Sequence, residues 1–188
     1  MAFTFDELEG EYKAALSSMK LIKPVQAKLV AERLLKNRDR FLNLHKACGV
    51  PALWTMAVFE REGPNFEDYL GNGDPLKEKT LHVPRGRGPF ASWEDGAADA
   101  LHLDEVTTCA EWRWEAACWE WERWNGFGPR MHDRPSGYLW SGTDHYHGGK
   151  YVADGVWSRK AWDQQLGTVI IAKAIAAVDP EVAAGFVS

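Results

Sequence analysis

The chain has few cysteines and no long apolar run. Cys48, Cys109 and Cys118 are an odd number of cysteines without the spacing of a metal or redox motif, so we expect free thiols in a reducing compartment. The longest apolar stretch, residues 169–178, is about half of the roughly 20 residues that a membrane-spanning helix needs. We therefore expect no stable insertion into a membrane.

A secretory signal and a basic stripe are also absent from the sequence. The first residues, MAFTFDELEG, are acidic and lack a positively charged segment followed by an apolar one, so we expect no signal peptide. The net charge is −5 and the basic residues are scattered, which argues against a nucleic-acid partner. With 188 residues, of which 45% are hydrophobic, the chain is long enough for one substantial core, and nothing in it demands more than a monomer.

Helical periodicity dominates the two ends and the centre of the chain. Gly49 ends one helix and Pro51 begins the next, in which nearly every side is apolar, so we expect a buried central helix there. The helices that begin near residues 92 and 107 have candidate N-caps in Ser92 or Asp95 and in Thr107 or Thr108. The predicted helices cover residues 5–19, 25–47, 52–61, 92–103, 107–124 and, as an amphipathic helix, 158–178.

Two long segments between these helices are rich in glycine and aromatic residues. Residues 63–88 contain short β-compatible pieces such as TLHV and predict a loop with a small hairpin, and residues 125–157 predict an aromatic loop. Both are too long to be plain connections in a compact domain. We expect them to form the two walls of a binding cleft.

Glu62 is the strongest candidate for chemistry. It ends the central apolar segment, at a junction where a substrate can approach. Glu60 points about 200° away from it on a helix and is expected to pair with Arg61 or another surface cation. Partial burial would raise the pKa of Glu62 and keep it protonated, as the general acid of a glycosidase requires. The alternative is that both glutamates are solvated charges at a helix end.

Asp74 and Thr80 follow Glu62 in the first loop. Asp74 lies in the turn sequence NGDP, where an aspartate is most often a turn former. On one unit with Glu62, however, Asp74 can supply a second carboxyl, and the hydroxyl of Thr80 can hold an attacking water opposite the acid. This arrangement predicts inversion if the two carboxyls lie roughly 6.5 to 9.5 Å apart.

The chain has ten tryptophans, and five of them lie between residues 112 and 124. We expect most of that group to be packing residues. Tyr138, Trp140 and Tyr146 lie in a glycine-rich loop where burial is harder to arrange, so we predict that they contact sugar. The sequence DHYH at residues 144–147 has no second ligand pair of clear geometry, so we predict no metal and no cofactor.

Several stretches resemble, in the same order, a phage-associated peptidoglycan-hydrolase family of the lysozyme superfamily. They are EREGPNFEDYLGNGDPL, TLHVPRGRGPF, ERWNGFGPR and GYLWSGTDHYHGGKYVADGVW, and the similarity spans residues 51–157. It implies a mainly α, lysozyme-like α+β fold: one catalytic domain over residues 1–188, with a helical bundle around a central buried helix, a small β-hairpin and a glycan-binding cleft.

The resemblance also implies roles for individual residues. Glu62 takes the position of the catalytic acid, and the order Glu62, Asp74, Thr80 is similar to the Glu-Asp-Thr arrangement of phage-type lysozymes. Asn125, in Trp-Asn-Gly, resembles the asparagine of the Tyr-Asn-Ala-Gly motif of lytic transglycosylases, which lies in the cleft near the substrate.

The expected function is therefore that of a muramidase. It would hydrolyse the β-1,4 bond between N-acetylmuramic acid and N-acetylglucosamine in peptidoglycan strands, as a phage endolysin held in the host cytoplasm before it acts on the wall in the periplasm. A lytic transglycosylase with the same acid is the nearest alternative, and a chitinase differs in substrate only. From a different class, a non-catalytic glycan-binding or virion structural protein also fits the fold.

Overall fold

The computed structural model describes residues 3–63 and 65–186, which form eight α-helices and one two-stranded antiparallel sheet. The predictions of a mainly helical chain with a small β-hairpin are confirmed. Of the described residues, none belongs to a helix long and apolar enough to cross a membrane. The helices are α1 (Phe5–Ser18), α2 (Pro24–Leu35), α3 (Arg38–Cys48), α4 (Ala52–Glu62), α5 (Trp93–Leu103), α6 (Trp114–Asn125), α7 (Gly137–Trp140) and α8 (Thr168–Val178), and the strands are β1 (Lys150–Ala153) and β2 (Val156–Ser158).

Helix α4 is the central buried helix that the sequence predicts. Every residue from Ala52 to Phe59 is buried, and α3 and α8 pack against this helix. Gly49 ends α3 in the left-handed conformation, with φ at 79°, and Pro51 is the N-cap of α4. Burial of each large apolar side chain contributes about 1.5–3 kcal/mol, so packing holds this short helix in place.

Two tryptophans dock α6 onto α4. The rings of Trp54 and Trp121 stack with their centroids 6.2 Å apart and their planes at 9°. The Nε1–H of Trp121 donates to the backbone oxygen of Trp54 at 3.3 Å, and that of Trp54 donates to the backbone oxygen of Ala117 at 3.4 Å. Because each indole nitrogen has an acceptor, both rings are buried without leaving an unsatisfied donor. This pair of side chains therefore joins α6 to α4.

Three of the predicted helices have wrong boundaries. The helix expected over residues 25–47 is divided into α2 and α3, because α2 packs on α8 whereas α3 packs on α4 and α5. The helix expected from residue 107 begins at Trp114, since Val106–Thr108 form a separate 3₁₀ turn. The last helix begins at Thr168 and is mostly buried between α2 and α4, so it is not amphipathic. The start of α5 is confirmed, with Ser92 and Asp95 forming a capping box.

The hairpin lies in the second long segment and not in the first. Strands β1 and β2 pair around residues 150–158, whereas the described part of residues 63–88 contains one isolated bridge, between Asp68 and Pro75. In that segment a side chain satisfies backbone groups that strand pairing would otherwise satisfy. The carboxylate of Asp74 accepts hydrogen bonds from the backbone N–H groups of Leu81 and His82. The three cysteines are free thiols, as predicted.

Candidate active site

Glu62 lines one of two neighbouring hollows in the surface, and Tyr138, which donates a hydrogen bond to it, lines the other. Helix α4 ends at Glu62 because Gly63 follows with φ at 107°. Hollow I, about 400 Å³, is lined by Glu62, by residues 69–72 and 83–84 of the first loop, and by the ends of α5 and α6. Hollow II, about 360 Å³, is lined by Arg61, residues 125–126, 128–129, 136–138 and 149–151, Asp163 and Gln165. Asn125 lines both hollows, so the two are neighbours, and we refer to them together as the groove.

Two side chains hold one oxygen of Glu62. The hydroxyl of Tyr138 donates to Oε1 at 2.8 Å, and the indole Nε1–H of Trp124 donates to the same atom at 3.1 Å. Among the described residues, none donates a hydrogen bond to Oε2. Since Oε1 already accepts two hydrogen bonds, a proton on this carboxyl is best placed on Oε2.

The environment of Glu62 raises its pKa. Glu62 is exposed to solvent on the side that faces hollow I, but the protein close to its carboxyl partly desolvates the ionised form, and this desolvation is the largest influence. The hydrogen bonds from Tyr138 and Trp124 and the charge of Arg61 act in the opposite direction without cancelling it. A reachable carboxyl with a raised pKa is what a general acid needs.

Arg61 fixes the position of Tyr138. Its guanidinium lies 4.7 Å from the centre of the Tyr138 ring and donates to Oδ2 of Asp163 at 2.8 Å and to the backbone oxygen of Leu166 at 3.2 Å. Tyr138 itself is buried, and burial together with the charge of Glu62 raises the pKa of its hydroxyl well above the ordinary value. The hydroxyl therefore stays protonated as a donor to Glu62.

Glu60 and Arg61 do not pair with each other. Glu60 pairs with Arg33, whose Nη2 donates to both carboxylate oxygens at 2.6 and 2.5 Å. The prediction that Glu60 meets another surface cation and turns away from the site is confirmed. Arg61 instead forms a buried ion pair with Asp163, and both residues line hollow II.

Asp74 and Thr80 are not among the residues that line hollow I. Asp74 is buried in its own loop, where Oδ2 accepts from the backbone N–H groups of Leu81 and His82 at 2.9 and 2.8 Å, and Oδ1 lies 2.7 Å from Nδ1 of His82. Burial opposes ionisation, but these hydrogen bonds outweigh it and lower the pKa of Asp74. Thr80 is likewise buried and donates to the backbone oxygen of Pro84. The geometry gives these residues a role in shaping the loop and lends no support to a role in holding water.

Of the four residues predicted to contact sugar, the structure brings Asn125 and Tyr138 to the groove. Trp140 is buried and lines a separate recess between α1 and residues 135–145. Tyr146 is buried too, and its hydroxyl donates to the oxygen of Gly149 at 3.1 Å and accepts from the N–H of Asp163 at 2.9 Å. The expectation that this loop leaves its aromatic rings exposed is wrong, because the loop packs on its own side chains.

Trp124 and Asp104 are two groove residues that the sequence reasoning missed as site residues. Trp124 stands directly before Asn125, so its place in the Trp-Asn-Gly motif was the signal available. Asp104 lies at the end of α5 and lines hollow I with Glu62. Burial raises the pKa of Asp104, Arg123 lowers it and Glu105 adds to the rise. No spacing in the sequence marks Asp104, since it is 42 residues from Glu62 and only the fold brings both to one hollow.

The DHYH segment, residues 144–147, is hydrogen-bonded to the C-terminal end of α1 and the residues that follow it. The carboxylate of Asp144 accepts the backbone N–H of Lys20 at 2.7 Å, and Nε2 of His145 lies 3.2 Å from the hydroxyl of Ser18. Within residues 3–63 and 65–186, no three histidine, cysteine, aspartate or glutamate side chains are grouped so as to hold a metal ion.

Comparison of the chain with protein-family models, with curated proteins and with solved structures found no match.

Proposed function

We propose that this protein is a glycosidase with a lysozyme-like fold that cleaves the β-1,4 bond between N-acetylmuramic acid and N-acetylglucosamine in peptidoglycan, with Glu62 as the general acid. One observation carries the proposal. Glu62 is reachable from hollow I, has a raised pKa, and is hydrogen-bonded to Tyr138, which lines the neighbouring hollow II of similar size. A polymer laid along the groove would pass Glu62 with sugar units on both sides.

The hydrogen bonds of Glu62 suit proton donation. As the glycosidic bond lengthens, Oε2–H gives its proton to the leaving oxygen and the carboxyl becomes a carboxylate. The donors on Oε1, Tyr138 and Trp124, are already in place and become stronger when their acceptor is ionised. Because this gain arises during the reaction, it stabilises the transition state more than the bound substrate.

The choice of peptidoglycan and of an endolysin role is supported by the sequence resemblance over residues 51–157. The proposal of a polymeric substrate is also supported by the groove, because hollows I and II are both open and share Asn125. The proposed place of action is the bacterial wall, reached from the host cytoplasm at lysis.

Glu62→Gln tests the proposal, with Glu60→Gln as a matched control on the same helix turn. We expect Glu62→Gln to lower the release of soluble muropeptides from permeabilised cells and purified walls by about 10²- to 10⁴-fold. Glu60→Gln should keep its activity, because Glu60 lines neither hollow. Full activity of Glu62→Gln would exclude Glu62 as the acid, and a wild-type protein that binds walls but releases nothing would favour a binding or virion structural role.

The stability of the same variant shows whether a loss of activity is chemical. The pKa of Glu62 is higher in the folded than in the unfolded protein, so the folded state binds more protons and its stability falls as pH rises above 4.5. We therefore expect Glu62→Gln to be more stable than the wild type at neutral pH and to lose this advantage below pH 4.5, the ordinary value for the group. Urea denaturation at both pH values measures this, and an inactive but less stable variant would point to misfolding.

A lytic transglycosylase is the second candidate, and the positions of Asp74 and Thr80 favour it. A hydrolase needs an activated water, whereas a transglycosylase uses the C6 hydroxyl of the muramic residue as the nucleophile. Asp74 and Thr80, the residues expected to hold that water, are buried in their own loop. Mass spectrometry of the products separates the two reactions: reducing ends support hydrolysis, and 1,6-anhydro ends support transglycosylation.

A further inference from the structure

The two neighbouring hollows differ in the sign of the charges that line them. The charged residues that line hollow I are Glu62 and Asp104, and none of its described lining residues is basic. Hollow II is lined by two cations, Arg61 and Lys150, and by one carboxylate, Asp163. With Glu62 protonated, hollow I carries one negative charge at most and hollow II carries one net positive charge.

Lys150 supplies the positive charge of hollow II that is free to meet a ligand. The carboxylate of Asp163 is already used by Arg61, at 2.8 Å, and both side chains are buried, with 7% and 8% exposure. Lys150 reaches the same carboxylate only at 4.0 Å, and its side chain is 41% exposed. It stands at the start of β1, so the hairpin holds its backbone in place while the ammonium group faces solvent.

The two cations and one carboxylate of hollow II leave one positive charge unmatched. Peptidoglycan alternates a neutral N-acetylglucosamine with a muramic residue, whose lactyl group ends in a carboxyl that is free or linked to an acidic peptide. Only one of the two sugars next to the scissile bond therefore carries negative charge. An electropositive hollow II next to an electronegative hollow I, which contains Glu62, can tell these sugars apart.

We propose that hollow II receives the muramic residue, with its lactyl carboxylate or acidic peptide beside Lys150, and that hollow I receives the neutral sugar. This inference rests on the proposed function and adds to it the direction in which the strand lies along the groove. It also gives the protein a means of preferring peptidoglycan over chitin, which has no carboxylate to place at Lys150.

The experiment compares charged and neutral versions of one substrate. Peptide-free glycan strands carry a free lactyl carboxylate on each muramic residue, and coupling to ammonia converts these carboxylates into amides. We expect Lys150→Ala to lower kcat/KM on the carboxylate strands by about three- to fivefold, the effect of one solvent-exposed ion pair, and to leave kcat/KM on the amidated strands unchanged. Lys160→Ala is the matched control, since Lys160 is an exposed lysine that does not line hollow II, and it should change neither value.

A binding measurement keeps this test apart from that of the proposed function. In the Glu62→Gln background, Lys150→Ala should weaken binding of carboxylate strands by the same factor, read from tryptophan fluorescence. An equal loss on charged and amidated strands, or no loss on either, would overturn the assignment of hollow II. Charge-selective binding together with an active Glu62→Gln would instead support hollow II and overturn Glu62 as the acid.

Discussion

Replacing Asp163 by asparagine removes the negative partner of Arg61 from the floor of the groove. The two side chains are buried and meet at 2.8 Å, and Arg61 in turn lies against the ring of Tyr138. Asparagine keeps the shape of Asp163 and an oxygen for the backbone N–H of Gln165, so the change is chiefly in charge. The variant therefore leaves a buried guanidinium without its counter-ion.

The size of the effect follows from this burial. Removing one partner of a buried ion pair costs about 3–5 kcal/mol, because the other charge stays desolvated. We expect the lower end, about 3 kcal/mol, since Arg61 keeps the backbone oxygen of Leu166 and the face of Tyr138. For a chain of this length each kcal/mol lowers Tm by about 2–4 °C, so the expected loss is about 6–12 °C.

Thermal unfolding followed by circular dichroism measures the change, and urea denaturation gives the free energy of unfolding. Glu32→Gln is the matched control, because Lys28 and Glu32 form an i,i+4 pair whose side chains are 67% and 47% exposed. An exposed pair of this kind contributes about 0.3–0.5 kcal/mol, so the Tm and the free energy of unfolding of the control should barely change. A double variant, Arg61→Met with Asp163→Leu, should recover much of the lost stability by removing both charges.

The reasoning is refuted if Asp163→Asn unfolds within about 1 kcal/mol of the wild type, a difference typical of an exposed pair. That result would mean that solvent reaches Arg61 and that the pair does not hold Tyr138 in place. The wall-lytic activity of Asp163→Asn is a second test of the same reasoning. If Tyr138 is displaced in this variant, it loses its hydrogen bond to Glu62.

Two further predictions concern the surroundings of Glu62. Tyr138→Phe removes a hydrogen bond that lowers the pKa of Glu62, so that pKa should rise and the alkaline limb of kcat/KM should move to higher pH; a pH–rate profile with an unmoved limb contradicts this. Gly71→Ala should destabilise the protein by about 1–2 kcal/mol in urea denaturation, because Gly71 has φ at 93° and an added Cβ would lie 3.1 Å from the Trp124 ring. Gly10→Ala, within α1 and with open space around it, should instead stabilise by about 0.5–1 kcal/mol, and equal effects at both glycines would count against the strain argument.

Local patterns predicted the parts of the fold that depend on neighbouring residues. The burial of α4 could be predicted because its apolar residues point in every direction, and the position of Glu62 could be predicted because Gly63 ends that helix. The start of α5 likewise follows from Ser92 and Asp95, which satisfy each other's backbone groups within four residues.

The split between α2 and α3 could not be predicted in this way. Apolar residues at helical spacing resume at Phe41 after Leu35, with no proline or glycine between them, so the sequence indicates one helix, but α2 and α3 pack against different partners. The orientation of the Asp74 side chain could not be predicted either, because a carboxylate in a turn can face solvent or its own backbone with the same sequence around it. Its hydrogen bonds to residues 81 and 82 exist only once the loop has closed.

The sequence by itself determined that Glu62 ends a buried helix beside a glycine-rich loop, since that result needs only the order of apolar residues and a helix-ending glycine. The tertiary structure alone decided the partners of Glu62, because Trp124 and Tyr138 are 62 and 76 residues away and reach it through the packing of α6 and α7. It also decided the charge on each side of the groove, because Asp104 and Lys150 come from elements that meet only in the folded protein. A pKa and an electrostatic field depend on distances through space, and these do not exist until the core has formed.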